Sequence, residues 1–109
     1  MLFAERTRAM REKTIEQKLV AAIKHCGGIA PKLVCPGFDG MPDRLILTPG
    51  GRIAFAEIKA PGCKPRPLQI SRHDMLRRLG FTVYVVDNTE QIPQIISGMG
   101  GEIFGTETS

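Results

Sequence analysis

Asp43, Glu57 and Lys59 are the side chains of this sequence best suited to act together. Between the two acids lies Pro49-Gly50-Gly51, a turn sequence flanked by Arg44–Thr48 and Arg52–Lys59. Both flanks read as strands, so the segment predicts a hairpin. A turn centred on Gly50 pairs Thr48 with Arg52 and Leu45 with Phe55, and sets Asp43 opposite Glu57. Opposed residues of an antiparallel pair point to one face with Cβ atoms ~5 Å apart. Lys59, two residues past Glu57, projects to that face as well. A register slip of one residue would dismantle the arrangement.

Two converging carboxylates repel unless a proton or a cation lies between them. Mg²⁺, or Mn²⁺ in its place, suits such a site, because it is held by one or two carboxylates with several waters retained. The ion would polarise a phosphoryl oxygen and acidify water, and Lys59 would offset the charge that builds on phosphorus. That is the minimum equipment for hydrolysing a phosphodiester. Glu57-Ile58-Lys59 alone is a weak signal, as is Pro42-Asp43. The hairpin that opposes them supplies the specificity. Taken singly, they read as an Asp at a strand start and an exposed Glu/Lys pair.

The elements that must position these residues are legible in outline. Ile15, Leu19, Ala22, Ile23 and Cys26 recur at helical spacing, and Gly27-Gly28 stops the helix. The helix starts at Thr14, where Gln17 would complete a capping box, or earlier, near Thr7. Ile29 to Val34 reads as a short strand demoted to an edge by Pro31. Cys35 to Met41 and the proline-rich Ala60 to Pro67 read as loops. A second helix is expected from Leu68 to Leu79, with Leu68, Met75, Leu76 and Leu79 as its apolar side. Phe81 to Val86, largely apolar, reads as a central strand. Asn88 is expected to cap a last helix through Ile92, Ile95, Ile96 and Met99. The order α-β-β-β-α-β-α predicts an α/β fold, a small mixed sheet flanked by helices.

With 109 residues the chain fits one domain, its core at about 14–99, with a basic arm at 1–13 and a frayed tail at 100–109. The net charge of +4 permits a polyanionic partner without demanding one. Its distribution is more telling: Arg6, Arg8, Arg11 and Lys13 form one basic zone, and Lys64, Arg66, Arg72, Arg77 and Arg78 another. Either could be a solvated helix face. Around a carboxylate cluster they favour nucleic acid. With no Trp and one Tyr, the composition argues against base stacking along rows of rings as the binding mode. Three cysteines without a CxxC pair signal neither a disulfide framework nor zinc, and point to a reducing, cytoplasmic setting. No apolar run approaches a membrane span, and no small-molecule cofactor is indicated. His25 reads as a helix C-terminal residue and His73 as a helix surface residue. Cys63 reads as incidental.

Pro42-Asp43 followed across a hairpin by Glu57-Ile58-Lys59 resembles the PD-(D/E)xK nuclease motif of the restriction-endonuclease-like fold. Gly40-Met-Pro-Asp-Arg-Leu-Ile-Leu47, Glu57-Ile-Lys-Ala-Pro-Gly62, Gln69, Leu76, Gly80 and Val83-Tyr-Val-Val86 are together similar to the stand-alone VRR-NUC nucleases of phage and bacteria. The likeness runs from about Thr14 to Met99. It implies that Asp43 and Glu57 bind metal, joined by the backbone carbonyl of Ile58, and that Lys59 assists the nucleophilic water. It also implies that a first-helix Glu completes the site. Glu16 is the better match by position, and Glu12, one turn earlier, is its competitor. Gln69 matches a family Gln and could bond a water, a phosphate or Lys59. Arg66-Pro67-Leu68 stands where the family often has Ser-Pro, which touches a helix cap and no catalytic role.

The resemblance implies a Mg²⁺- or Mn²⁺-dependent DNA endonuclease in the cytoplasm of a bacterium or phage-infected host. Arg8, Arg11, Lys13, Arg44, Lys64, Arg66 and Arg72 are the expected DNA contacts. A domain this small has few surfaces for reading sequence, so structure-selective cutting is expected, by a homodimer acting on branched DNA such as four-way junctions. The alternatives are a flap or nicking endonuclease working with host partners, and a non-catalytic DNA-binding module. A small-molecule enzyme would need an apolar substrate pocket that no sequence feature suggests.

Overall fold

The computed structural model describes residues 2–101, so the expected tail from Thr106 to Ser109 lies outside the described residues. Helix α1 (Leu2–His25) is followed by strands β1 (Arg44–Thr48) and β2 (Arg52–Ile58), helix α2 (Pro67–Arg78) and strand β3 (Thr82–Val86). A short 3-10 turn at Thr89–Gln91 then leads into helix α3 (Ile92–Gly98). The sheet order is β1-β2-β3, antiparallel between the first two and parallel between the last two.

The hairpin has the expected register. Thr48 faces Arg52 and Leu45 faces Phe55, across a turn in which Gly50 and Gly51 both take positive φ. Glycine meets no Cβ penalty there, which is why this turn needs it twice. Side chains alternate across β2 and so divide the core. Ala54, Ala56 and Ile58 pack with Ile15, Leu19 and Ile23 of α1 and with Ile95 and Ile96 of α3. Phe55 and Val83 pack on the other face with Leu76 of α2. Glu57 follows Phe55 in that alternation, so it lies on the α2 face.

Several expectations are corrected. The segment after α1 is not a full strand: Ile29 bridges Leu47 and Lys32 bridges Arg44, with Pro31 between them. Pro31 has no N–H to continue a ladder. Its carbonyl still accepts from Leu45 N at 3.0 Å. The helix α1 begins neither at Thr14 nor near Thr7, and its N-terminal half carries the basic residues. β3 is an edge strand, β2 the central one. The outward carbonyls of β3 are taken up locally: Arg77 Nη2 donates to Val83 O at 2.8 Å and Gln91 Nε2 to Val85 O at 3.0 Å. Apolar composition alone therefore misread the position of β3. Asn88 caps the 3-10 turn, accepting from Glu90 N at 2.7 Å, rather than α3 directly.

The face of α2 is also corrected. Leu68 and Leu79 are exposed, and the buried residues are Gln69, His73 and Leu76. These stand at i, i+4 and i+7, one stripe of a helix. The stripe that meets the sheet is therefore polar over its first half, where it covers Glu57.

Candidate active site

Asp43 immediately precedes β1, and Glu57 is the next-to-last residue of β2. The ladder ends at the Arg44–Ala56 pair. Past it the Asp43 side chain replaces a backbone partner: Ile58 N donates to Asp43 Oδ2 at 2.7 Å. Pro42, buried before it, fixes the chain direction at the point where β1 begins. The N–H and C=O of one strand residue point to the same edge. The carbonyl of Ile58 thus lies on the Asp43 side of β2, beyond the end of β1. Lys59 N turns the other way and donates to Val86 O at 2.9 Å.

Glu57 is almost fully buried, at 1% exposure. Its Oε2 accepts from Gln69 Nε2 at 2.8 Å and lies 3.4 Å from Lys59 Nζ. Its Oε1 lies 3.4 Å from His73 Nε2. Burial, and then the neighbouring Asp43, raise its pKa from 4.5 to about 7, against the opposing pull of Lys59. The lysine offsets the cost of burying this charge beside Asp43 only in part.

Gln69 is held at both ends. Its Oε1 accepts from Arg66 N at 2.8 Å, which caps the start of α2. Its amide nitrogen is thereby directed at Glu57. The expected helical Gln is a fixed ligand of the acid, and not of Lys59. His73 is a residue that sequence reading placed on the surface, yet it is 2% exposed beneath Glu57. Its position four residues after Gln69 was the available signal, because i and i+4 share a face. Burial, with Arg77 nearby, lowers its pKa.

The two α1 acids divide. Glu16 Oε2 is bound to Arg44 Nε at 2.9 Å, and Arg44 Nη1 also donates to Ala30 O at 2.9 Å. That pair staples α1 to β1 and to the segment after α1. Glu12 is turned toward the other charges: its pKa is raised by burial, then by Asp43, while Lys59 and the Ala60 backbone N–H favour its charged form. Both acids and Asp43 line one cleft, with Lys32, Leu33 and Val34. α1 packs on the sheet face opposite Glu57, so a side chain reaches the acids only around the open hairpin end.

Among the expected DNA contacts, Arg8, Arg11, Lys13, Lys64 and Arg66 are exposed. Arg44 is engaged as above. Arg72 Nε donates to Asp39 O at 2.8 Å, and its guanidinium lies 4.0 Å from the Phe38 ring centre. It ties the loop before Asp43 onto α2. Gly40 in that loop has φ 89°, and an added Cβ there would stand 2.8 Å from Leu68 Cγ. Only glycine lets the loop lie this close.

The donor set fits a hard divalent cation. Asp43 and Glu57 supply carboxylate oxygens and Ile58 a carbonyl on the same side, and burial, then Asp43, disfavours the ionised Glu57 in a way that a bound cation would relieve. Among the described residues no three His, Cys, Asp or Glu side chains form a metal cage. A Mg²⁺-type site that retains waters needs none. The three cysteines are free, and no described helix is long and apolar enough to cross a membrane.

The chain is 48% identical over 83 residues to protein p44 of Acyrthosiphon pisum secondary endosymbiont phage 1, which is named as a candidate nuclease. The match covers 76% of this chain and 89% of that relative. A solved VRR_NUC domain is similar with a TM-score of 0.75 and 32% identity, over 80% of this chain and 95% of that one. No family model matches the sequence.

Proposed function

The chain belongs to the VRR-NUC nucleases, and from that premise we propose that it is a divalent-metal-dependent DNA endonuclease whose site is built on Asp43 and Glu57. The observation that carries this reading is the buried Glu57, pushed up to about 7 by burial and by Asp43, with Lys59 Nζ 3.4 Å away. In this reading Asp43, Glu57 and the Ile58 carbonyl hold Mg²⁺ or Mn²⁺. When bound, the ion supplies Lewis acidity toward a phosphoryl oxygen and toward water. Lys59 directs the attacking water and offsets charge developing on the phosphate. Gln69 keeps the Glu57 carboxylate in one orientation. Arg8, Arg11, Lys13, Lys64 and Arg66 bind backbone phosphates, so affinity falls steeply with salt.

The acid from α1 is Glu12 rather than Glu16 in this reading, because Arg44 already occupies Glu16. Glu12→Gln is expected to weaken Mn²⁺ binding by about tenfold with little change in stability. Glu16→Gln is expected to cost about 1–2 kcal/mol of stability, as a partly buried charge-assisted bond is lost, and to leave Mn²⁺ affinity near wild type. Calorimetric titration beside thermal melts checks both. The reverse pattern would return the role to Glu16.

The preferred substrate is branched DNA, cut by a homodimer. Leu2, Phe3 and Met10 are exposed on α1, where a second copy could cover them. A two-fold dimer would present two sites to two symmetric strands of a four-way junction. The test is incision of a labelled synthetic junction beside flap and duplex controls, with Mg²⁺, Mn²⁺ or EDTA, using wild type and Asp43→Asn. Symmetric, metal-dependent incision of the junction that the variant lacks is the expected result. Cutting of flaps alone, or single nicks in duplex, would replace the junction with those substrates. Absence of cutting by a folded, DNA-binding protein would reduce the chain to a binding module.

A further inference from the structure

We propose that His73 is a positioning residue for Glu57: its Nε2–H donates to Glu57 Oε1 while Gln69 holds Oε2, so that adjacent turns of α2 clamp both oxygens of one carboxylate. The inference rests on the reading of Glu57 as a metal ligand and adds a residue that the resemblance does not supply. His73 Nε2 lies 3.4 Å from Oε1, and Gln69 Nε2 lies 2.8 Å from Oε2. The two donors stand four residues apart on the stripe of α2 that faces the sheet.

His73 is also buried where a polar ring is costly. At 2% exposure it has lost its water. An imidazole in that position is unfavourable unless its N–H is bonded, and a leucine would pack at no such cost. Leu76, one turn further along α2, is the apolar solution on the same stripe, where the sheet presents Phe55 and Val83. Opposite Glu57 the helix instead carries two polar side chains. A carboxylate held at both oxygens keeps a fixed plane, and Oε1, with His73 as its one donor, retains a lone pair for a cation. At 3.4 Å the contact stands at the long end of hydrogen-bond distance. Groups that orient a ligand typically alter metal affinity by about ten- to a hundredfold when removed.

The test uses the full chain. In the metal-free ¹⁵N-labelled protein held at about pH 9, where the Glu57 carboxylate is ionised and can only accept, long-range ¹H–¹⁵N spectra should report the Nε2–H tautomer for His73. The Nδ1–H tautomer would overturn the inference, whatever the protein's affinity for metal. His73→Leu removes the donor at similar bulk, and His73→Gln retains an N–H. Mn²⁺ titration by calorimetry should show the Leu variant about ten- to a hundredfold weaker, with the Gln variant recovering most of the loss. A folded Leu variant that binds Mn²⁺ within a factor of about two of wild type would overturn the positioning role. If the Leu variant does not fold, the Gln variant decides: affinity near wild type supports the role, and a loss as large as that of Gln69→Leu opposes it. Absence of Mn²⁺ binding by wild type would instead remove the metal reading of Glu57, leaving the tautomer to decide the His73 contact.

Discussion

Glu57→Gln will stabilise the metal-free protein at about pH 8 while abolishing its response to Mg²⁺ or Mn²⁺. A catalytic substitution usually has no such sign, and the site's charge balance is the reason. Burial and Asp43 raise the Glu57 pKa from 4.5 to about 7. The fold therefore favours the protonated acid. That contribution is fully present below the unfolded value of 4.5 and is lost as pH rises through about 7. Above it, ionised Glu57 penalises the fold by about 3 kcal/mol, since each tenfold change in acid dissociation is worth ~1.4 kcal/mol. Glutamine keeps an oxygen for Gln69 and carries no charge, and a neutral His73 can change tautomer to accept from its amide nitrogen, so the variant escapes that penalty. Metal-free melts of wild type and variant should converge at about pH 4, diverge as pH rises through about 5 to 7, and stay apart above that. Added metal should raise the wild-type melting temperature, increasingly so at higher pH, because the ligand must be deprotonated. A metal-free variant less stable than wild type at the alkaline end would show that burial and Asp43 do not disfavour the ionised Glu57.

Lys59→Met will separate chemistry from binding. Lys59 Nζ lies 3.4 Å from Glu57 Oε2 and is partly buried. It opposes the upward push on Glu57, so it competes with a divalent ion for the same negative charge. Its removal is expected to leave Mn²⁺ affinity unchanged or slightly tighter. Cleavage of the preferred DNA should fall by about 10²–10³-fold, the usual effect of losing one group that offsets transition-state charge. Methionine keeps the stem that packs beside the strand. Single-turnover cleavage and calorimetry on the same preparation make the comparison. Parallel loss of affinity and rate would make Lys59 a structural support of the metal site instead.

The hairpin was readable because its rules are local. Gly50-Gly51 sets the turn, alternation sets the faces, and Asp43 and Glu57 then fall opposite each other. α2 was misread for the opposite reason. Leu68 and Leu79 look like its core face, yet the face that meets Glu57 must supply hydrogen-bond donors, so Gln69 and His73 are buried in their place. Hydrophobic pattern fails where a site needs polar groups inside. The choice between Glu12 and Glu16 depends on where α1 crosses the sheet. Spacing within one helix carries no information about that crossing, and the partner that occupies Glu16, Arg44, is 28 residues away. Arg72 also braces the loop before Asp43 through Asp39 and Phe38, partners that charge type alone does not announce.

The side chains along β3 bear on colloidal behaviour. An exposed strand margin is a template on which another chain can add by backbone pairing, the first step toward ordered aggregates. Val83 and Val85 offer their carbonyls on that margin, but Arg77 and Gln91 already donate to them. An incoming strand would have to displace a guanidinium and an amide before forming its first bonds. Crowding many copies of this nuclease together should therefore not extend its sheet through β3.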